Sequence, residues 1–410
     1  MEFNASISEE MKFKKFNEEL SWLRSAEYQE FLDEYLPVLG FLLLLCVMGT
    51  IGNIHVLFVY KTKYKPSNHR TFILCLAAVD LFSCIVSIPF EIFDMRYRYT
   101  FSQSWCCGVF RMLNHVGSIG SGFLLGVIAL ERYRKACTPM KTQISLLQAR
   151  IACFVTLFVS TTLSIPAMFL YGSNYTDSGH PGIFGMDCTV LSHRYIFFKI
   201  YSGLLLIATT SVFIICIVAY IFIGKVLFRQ MKFRNTVQLS QKKKSLVFND
   251  SVVSSECASS RRNLHKIASQ LSLDMTTEGN IVHDDESSFN NDHLRVNPRN
   301  SQVVTHRKKV KFDRSKRITL MFLVATSISY VSYLPNMVIS VIKALDTDSY
   351  DILVTKTGAF AFILLRLYFL SNITNPIVYS FMDDRFRSEL KKMYTGKCST
   401  NCKGQSSSLS

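Results

Sequence analysis

The stretch Leu36–Tyr60 reads LPVLGFLLLLCVMGTIGNIHVLFVY, an apolar run of 25 residues without a formally charged side chain. At a rise of 1.5 Å per residue, about 20 helical residues cross the hydrocarbon core of a bilayer. A buried helix in a soluble protein is rarely so long or so uniformly apolar. The run therefore predicts a helix that spans a membrane.

Six further apolar runs follow, and none shows the alternating polarity over about ten residues that is typical of a membrane β-strand. Hydrophobic residues make up 49% of the 410 residues, which argues against a chain of two or three soluble domains. The sequence therefore predicts an all-α membrane protein, a seven-transmembrane helix bundle. The six runs are Thr71–Ile92, Cys107–Leu130, Ile151–Tyr171, Phe197–Ile223, Arg317–Val341 and Gly358–Phe381.

The formal net charge of +16 is distributed unevenly along the chain. Lys and Arg concentrate in the links after the first, third and fifth runs and in the tail, whereas residues 1–35 are acidic. Because cytoplasmic loops of membrane proteins carry the excess of Lys and Arg, we expect these links on the cytoplasmic side. The pattern predicts a multi-pass plasma-membrane protein with an extracellular N-terminus and a cytoplasmic C-terminus. Nucleic acid is not an expected partner, because no basic soluble face is present.

Composition divides the chain into five parts. Residues 1–35 form an extracellular N-terminus without a signal peptide, and 36–234 hold the first five helices with their loops. Residues 235–306 are rich in Ser, Asn and Lys without apolar periodicity, which predicts a disordered third cytoplasmic loop. Residues 307–381 hold the last two helices, and 382–410 a short amphipathic eighth helix and the tail, where membrane lipid is an expected partner.

Several residues are candidates for covalent modification. Asn4 and Asn174 begin Asn-x-Ser/Thr sequons on the expected outer side, which predicts N-glycosylation. On that oxidising side, one disulfide can join Cys188 to Cys106 or Cys107, of which we take Cys107. The tail residues Cys398 and Cys402 are palmitoylation candidates.

Five short motifs, each on a different apolar run, carry a family resemblance. In order and spacing they resemble those of rhodopsin-type (class A) G-protein-coupled receptors, from the first run to the end of the seventh. The motifs are Gly52-Asn53, Leu76-Ala77-Ala78-Val79-Asp80, Glu131-Arg132-Tyr133, the proline Pro335, and Asn375-Pro376-Ile377-Val378-Tyr379.

The resemblance implies two functional groups inside the bundle. Arg132 would be held by Glu131 at rest and released to a partner on activation, with Tyr133, Tyr220, Asn375, Pro376 and Tyr379 as the other activation residues. Asn53, Asp80, Asn372 and Asn375 would form a polar cluster that in relatives holds water and a sodium ion; no other cofactor is expected. The structural alternative is interhelical hydrogen bonding, worth about 0.6 kcal/mol per pair.

Three positions depart from the family pattern. Tyr333 stands where the family commonly has a tryptophan before Pro335, and Val212 stands in place of the usual fifth-helix proline. The fourth helix also lacks its usual tryptophan, since the chain has only Trp22 and Trp105. Tyr333 can still serve at its position as an aromatic pivot.

The expected ligand is an extracellular peptide. Asn114 stands where amine receptors carry an aspartate, and Phe369 stands where opsins carry the retinal lysine, so neither ligand class is expected. A basic group on a peptide would pair with Glu91 or Asp94; in the alternative, these acids pair internally with Arg111, Arg96 or Arg98. The candidate ligand-binding residues are Glu91, Asp94, Arg111, Asn114, His115, Tyr333 and Asn336.

The resemblance to cholecystokinin- and neuropeptide-type receptors implies a receptor that activates a heterotrimeric G protein by outward movement of the sixth helix. Arrestin and receptor kinases would be further partners. The alternatives are a non-signalling scavenger or decoy receptor and, with less support, a transporter, which should show an internal repeat that the sequence lacks. No phosphate loop, metal-ligand spacing or nucleophile elbow indicates an enzyme.

Overall fold

The computed structural model describes residues 2–270 and 298–395. Within these residues, seven helices are long and apolar enough to cross a membrane, which confirms the predicted bundle. Helix α1 (Glu2–Glu30) and a π-turn (Phe31–Tyr35) lead into α2 (Leu36–Lys63), which contains the apolar run of the first crossing. The second crossing consists of α3 (Asn68–Phe82), a π-turn (Ser83–Ser87) and α4 (Ile88–Arg96).

The remaining crossings follow the expected order. The third and fourth are α5 (Ser104–Cys137) and α6 (Leu146–Leu170). The fifth lies in α7 (Tyr195–Gln270) and the sixth in α8 (Pro298–Leu345). After α9 (Thr347–Thr357), the seventh comprises α10 (Ala359–Arg366), a 3-10 turn (Leu367–Leu370) and α11 (Ser371–Met382), and α12 (Asp384–Thr395) is the expected eighth helix.

The chain divides into two compact units, Met1–Ile223 with Ser315–Ser410, and Gly224–Arg314. The second unit contains helical residues where we expected disorder, because α7 continues to Gln270 and α8 begins at Pro298. Neither Gly nor Pro occurs between residues 225 and 270, so no helix breaker ends α7. The rest of the expected disordered segment, residues 271–297, lies outside the described residues, as do Cys398 and Cys402.

The outer face carries a β-hairpin that the sequence did not predict. Strands β1 (Tyr171–Asp177) and β2 (Phe184–Val190) pair antiparallel, with Ser173 opposite Cys188. Cys188 is bonded to Cys107 at the start of α5, with 5.5 Å between the two Cα atoms, so the predicted disulfide is confirmed. Cys106 is outside any disulfide among the described residues. The bond fixes the hairpin over the outer end of the bundle.

Helix α1 packs against the loop between α4 and α5 through one buried carboxylate. Glu27 is only 3% exposed, and its Oε1 accepts hydrogen bonds from the backbone N–H groups of Tyr99 and Thr100 at 2.9 and 3.2 Å. Arg96 lies 3.5 Å from Glu27 Oε2. Charge-assisted bonds to backbone N–H groups are among the stronger hydrogen bonds in proteins. They hold the N-terminal helix beside the outer face.

The inner half of the bundle is a continuous apolar core. It includes Phe72, Leu124, Phe322 and Tyr379, all buried. Close approach of α2 to α11 explains the glycine of the first motif, because a Cβ added at Gly52 would lie 2.8 Å from Pro376 Cβ. The core therefore joins the helices that carry the family motifs.

Candidate functional site

The first unit contains a cavity of about 840 Å³ at the outer end of the bundle. It is lined by α4, α5, the β-hairpin, the outer parts of α7 and α8, and α10. Cavities of this size are typical of small-molecule and peptide-end binding. All seven candidate ligand-binding residues line it: Glu91, Asp94, Arg111, Asn114, His115, Tyr333 and Asn336.

A network of charges lies in the cavity wall. Arg111 Nη1 donates to Glu91 Oε1 at 2.6 Å, and Arg111 Nη2 donates to Asp94 Oδ2 at 2.5 Å. Asn114 Nδ2 donates to Glu91 Oε1 at 3.0 Å, and Arg366 Nε donates to Glu91 Oε2 at 3.1 Å. The internal pairing of the acids with Arg111 is therefore the arrangement in this structure. Both oxygens of Glu91 are satisfied.

Asp94 differs from Glu91 in the contacts of its second carboxylate oxygen. Its Oδ1 is buried without a hydrogen-bond partner among the described residues, and the same holds for Arg111 Nε. A buried carboxylate oxygen without a partner carries a free-energy cost that a ligand donor would remove. Nearby, burial raises the pKa of the Asp187 carboxyl on β2, against the opposing effect of Arg98 and Arg111.

Two cavity residues were missed by the sequence analysis. Arg366 pairs with Glu91, and Asn114 Nδ2 donates to the hydroxyl of Tyr368 at 2.9 Å. A charged side chain within an apolar crossing usually faces the bundle interior and has a partner there. The charge of Arg366 within the seventh apolar run could therefore have identified it as an interior residue, whereas nothing in the sequence distinguishes Tyr368.

The middle of the cavity is bounded by hydrogen bonds to backbone carbonyls. Tyr333 donates its hydroxyl to Ser118 O at 3.2 Å, and Asn336 Nδ2 donates to Leu365 O at 2.7 Å. His115 Nδ1 lies 2.8 Å from Arg111 O, which leaves Nε2 for another contact. Tyr333 thus bridges α8 and α5 from the position where the family commonly has a tryptophan.

A buried polar cluster lies below the cavity. Asp80 is fully buried; its Oδ1 accepts from Ser121 Oγ at 3.0 Å and its Oδ2 from Asn375 Nδ2 at 2.7 Å. Asn53 Nδ2 donates instead to the backbone carbonyls of Gly49 and Asn372, each at 2.9 Å. The structure thus joins Asp80 to Asn375 directly, and adds Ser121, which the sequence analysis did not include.

The donor set of this cluster fits a small hard cation. The side-chain oxygens Asn53 Oδ1 and Asn375 Oδ1 are buried without hydrogen-bond partners among the described residues, and Asp80 supplies a carboxylate. Carboxylate, hydroxyl and amide oxygens are the ligands that such cations prefer. No group of three or more His, Cys, Asp or Glu side chains able to hold a metal occurs in the described residues.

The inner end of α5 holds an ion pair with little solvent access. Arg132 Nε lies 2.7 Å from Glu131 Oε2, and Lys135 Nζ lies 2.8 Å from Glu131 Oε1. Arg132 is 3% exposed, and its guanidinium lies over the ring of Phe322 on α8, with 5.4 Å from Cζ to the ring centroid. The pair is therefore covered on one side by the sixth crossing.

The three tyrosines named from the motifs lie around this end of the bundle. Tyr220 on α7 contacts Thr326 on α8, with 3.2 Å between the hydroxyl oxygens. The hydroxyl of Tyr379 is buried without a hydrogen-bond partner in residues 2–270 and 298–395. Tyr133 faces the ring of Phe222 on α7 at a centroid distance of 6.1 Å. The hydroxyl of Tyr220 is thus bound to the sixth crossing in this arrangement.

Helix α12 is joined to two crossings by its first residue, Asp384, and by Asp383, which precedes it. Asp383 Oδ2 accepts from the hydroxyls of Tyr60 and Tyr64 at 2.8 and 2.7 Å, and burial is the main reason that the pKa of Tyr64 is raised. Asp384 pairs with Arg317 at the inner end of α8. The sequence analysis named neither aspartate. Both contacts tie the eighth helix to helices whose inner ends surround Arg132.

Comparison with known proteins agrees with this geometry. The profile of the family described as "7 transmembrane receptor (rhodopsin family)" matches residues 52–379, most of the chain. Neuropeptide receptor npr-1 of Caenorhabditis elegans is 24% identical over 369 residues, which cover 88% of this chain and 73% of that protein. The human cholecystokinin receptor type A is 24% identical over 379 residues, covering 90% and 82%.

A third relative is similar over a shorter stretch. Neuropeptide receptor 18 of Caenorhabditis elegans is 27% identical over 139 residues, which cover 33% of this chain and 29% of that receptor. The family match, by contrast, extends from the first crossing to the Asn-Pro-x-x-Tyr motif of the seventh. Members of this family are receptors rather than enzymes. The chain belongs to the rhodopsin family of seven-transmembrane receptors.

Proposed function

We propose that this receptor binds an extracellular peptide and, when occupied, activates a heterotrimeric G protein. The observation that supports this most is the continuity of α5. The same helix carries Arg111 and Asn114 in the wall of the outer cavity and Glu131 and Arg132 at its opposite end. A rigid helix with a ligand cavity at one end and a buried ion pair at the other suits coupling across a bilayer.

A peptide is the proposed ligand because the cavity combines polar and apolar walls. Its outer part presents Asp94 Oδ1 and Arg111 Nε, one acceptor and one donor without partners among the described residues. A cationic group of the peptide would pair with Asp94, while Glu91 keeps Arg111 and Arg366 in place. The names of the similar receptors, which refer to neuropeptides and cholecystokinin, are consistent with a peptide.

Activation is proposed to be an outward movement of the inner end of α8. In the resting arrangement, Phe322 lies over Arg132 and Glu131 holds its Nε. Movement of α8 would uncover the guanidinium, and Tyr379 and Tyr220 would turn toward the space so opened. A helix of the G protein would then dock between Arg132 and the inner end of α8 around Arg317. Pro335 and Pro376, each inside a helix, remove backbone hydrogen bonds and make bending easier.

A sodium ion at the polar cluster is part of the proposal. Asp80, Ser121 and Asn375 would hold it through oxygen atoms, and Asn53 lies within the same buried region. The ion would neutralise a carboxylate that is costly in the middle of the bundle. If only one arrangement of the helices binds the ion, sodium would shift the equilibrium between the resting and active arrangements.

The cellular setting is likewise proposed. The receptor lies in the plasma membrane with its N-terminus outside, and arrestin, receptor kinases and membrane lipid act on its cytoplasmic side. Asn174 is proposed to carry a glycan although its Nδ2 donates to Val190 O at 3.2 Å and to Ser192 Oγ at 2.7 Å, both of which a glycan would disturb. The side chain of Asn4 lies outside the described residues.

The decisive experiment is ligand-dependent nucleotide exchange. Purified receptor in lipid discs is mixed with a heterotrimeric G protein and a pool of synthetic peptides, and GDP release is followed. Accelerated release by one or more peptides is the expected result. A peptide that binds the receptor without accelerating release on any G-protein class would instead identify a scavenger or decoy receptor.

A further inference from the structure

The outer cavity extends further into the bundle than its charged wall. Its lining on α5 runs from Arg111 and Asn114 to Gly122 and Phe123. Gly122 lies eight residues after Asn114, which is about 12 Å along the helix at 1.5 Å per residue. It also lies one turn beyond Ser118, whose carbonyl accepts the hydroxyl of Tyr333. The cavity therefore continues inward past the tyrosine that bridges α8 and α5.

Gly122 faces open space, unlike the other glycines of this part of α5. A Cβ added at Gly122 would have no heavy atom of the described residues within 4 Å, beyond its own helix and chain neighbours. At Gly126, one turn further, an added Cβ would lie 2.8 Å from Val212 Cγ1. At Gly120 it would meet Leu157, Ser160 and Val79 at 3.7 Å. The cavity thus ends at Gly122, and Val212 closes the bundle below it.

The inner part of the cavity has no charged side chain among the described lining residues. The charged residues all line the outer part, namely Glu91, Asp94, Arg98, Arg111, Asp187, Lys199, Lys343 and Arg366. The lining of α5 and α7 near Gly122 is mostly apolar, with Ile119, Phe123, Leu206, Val212 and Phe213, and includes the uncharged Thr209 and Thr210. Such a wall favours an apolar group, because each buried methylene contributes about 0.8 kcal/mol. A charged group there would be without a counter-ion.

The side wall of this inner part is shared with a second cavity. The rings of Phe213 on α7 and Tyr330 on α8 pack with centroids 4.7 Å apart, and both residues line the outer cavity. Both also line a cavity of about 280 Å³ between α7 and α8. These two side chains therefore separate the outer cavity from the second cavity. A group that enters the inner part would contact the two helices that meet at Tyr220 and Thr326.

We propose that this inner part, bounded by Gly122, is a binding subsite for one bulky apolar side chain of the extracellular peptide. The peptide's charged group would remain about 16 Å away along α5, at Arg111 and its partner Asp94, by the rise of 1.5 Å per residue over the eleven residues from Arg111 to Gly122. Gly122 sets the size of the side chain that fits, because any larger residue at this position would occupy the space itself. The subsite rests on the proposed function only in taking the occupant to be part of a peptide.

The subsite is tested by chemical labelling of a cysteine placed at its end. Gly122→Cys and the matched control Gly120→Cys are made in a Cys106→Ser background, and surface display is measured for both. Benzyl methanethiosulfonate is added from outside, and the mixed disulfide is located by peptide mass spectrometry. Gly122→Cys should react about tenfold faster than Gly120→Cys. The thiol at position 120 is packed against other side chains, so the reagent reaches it only when the structure opens locally. Equal rates would overturn the proposal.

A second measurement tests the chemistry of the occupant. N-acetyl-phenylalanine amide and N-acetyl-alanine amide are compared as protectants of Gly122→Cys against benzylation. Protection by the phenylalanine amide alone is expected, and equal protection or none would contradict an apolar subsite. Labelling requires no G protein, so the two tests are independent. If Gly122→Cys is labelled and the phenylalanine amide protects it, but the receptor never accelerates nucleotide exchange, the proposed function alone is contradicted. If the receptor accelerates nucleotide exchange but Gly122→Cys is not labelled, the subsite alone is contradicted.

Discussion

Arg132 and Glu131 are neighbours in the chain, and their side chains fold back on each other, with 2.7 Å between Arg132 Nε and Glu131 Oε2. Both residues are nearly inaccessible to solvent, at 3% and 1% exposure. Removing one partner of a buried pair leaves the other charge uncompensated. The pair therefore has a larger influence on the resting arrangement than an exposed ion pair would have.

Glu131→Gln is expected to raise ligand-independent nucleotide exchange. Loss of the carboxylate frees Arg132, and a bias of about 1.4 kcal/mol toward the active arrangement changes its population about tenfold. Arg132→Ala should abolish exchange while ligand binding at the cell surface remains. Lys135→Ala is the matched control, since Lys135 contacts the same carboxylate from a half-exposed position. Unchanged exchange in Arg132→Ala would contradict the scheme.

Asp384→Asn should raise basal exchange by a smaller factor. Asp384 pairs with Arg317 across α12 and α8, but the two side chains are 59% and 64% exposed. An exposed pair contributes at most about 1 kcal/mol, which corresponds to about a fivefold effect. Arg317 itself is left unchanged, because it belongs to the proposed docking face. Basal exchange in Asp384→Asn equal to that of the wild type would exclude this ion pair as a restraint.

Asp94→Asn should change peptide affinity, whereas Glu91→Gln should change surface display. Asp94 has an unpartnered oxygen in the cavity, so its neutralisation should weaken a cationic peptide by about 2 kcal/mol or more, roughly thirtyfold in Kd, with normal surface display. Glu91 joins Arg111 and Arg366, so Glu91→Gln should lower surface display itself. Peptide binding and antibody labelling on intact cells measure the two effects. Equal loss of display in both variants would remove Asp94 as a ligand contact.

Cys107→Ser and Cys188→Ser should each impair surface display or ligand binding. The bond closes a loop with a sequence separation of 81, which is worth about 4 kcal/mol in the chain-entropy account. Cys106→Ser is the matched control and should behave as wild type. Flow cytometry of intact cells measures display, and normal display and binding in Cys107→Ser would show that the hairpin keeps its place without the bond.

Asp80→Asn should remove the sodium dependence of the receptor. At constant ionic strength, replacing a bulky organic cation by sodium is expected to lower basal exchange in the wild type, because the ion would favour the resting arrangement. The variant loses the carboxylate and with it the effect. Sodium dependence that persists in Asp80→Asn would place the ion elsewhere.

The sequence predicted the crossings because long apolar runs are a direct consequence of bilayer thickness. It predicted the ends of the crossings less well, since α7 and α8 continue as helices beyond the apolar residues that indicated them. The motif residues were likewise readable, because each is polar, charged or proline where the surrounding run is apolar. Cys188 was identified as a disulfide partner from its side of the membrane.

Only some of the cavity residues could be predicted from the sequence. Polar residues such as Asn114 and Glu91 interrupt apolar runs and therefore attract attention, whereas Tyr368 and Gly122 do not. Gly122 matters through the space beside it, which depends on how α7 and α8 pack against α5. The contact of Asp383 with Tyr60 and Tyr64 joins residues about 320 positions apart, for which a single sequence contains no signal.

The proposed movement of α8 is measured by the distance between two spin labels. Labels at Leu320→Cys on α8 and Arg150→Cys on α6, in a background without other reactive thiols, are measured with and without an activating peptide and G protein. The distance should increase by about 5 Å or more when both are present, because an outward swing of α8 moves Leu320 away from α6. An unchanged distance distribution in receptor that accelerates nucleotide exchange would contradict the account.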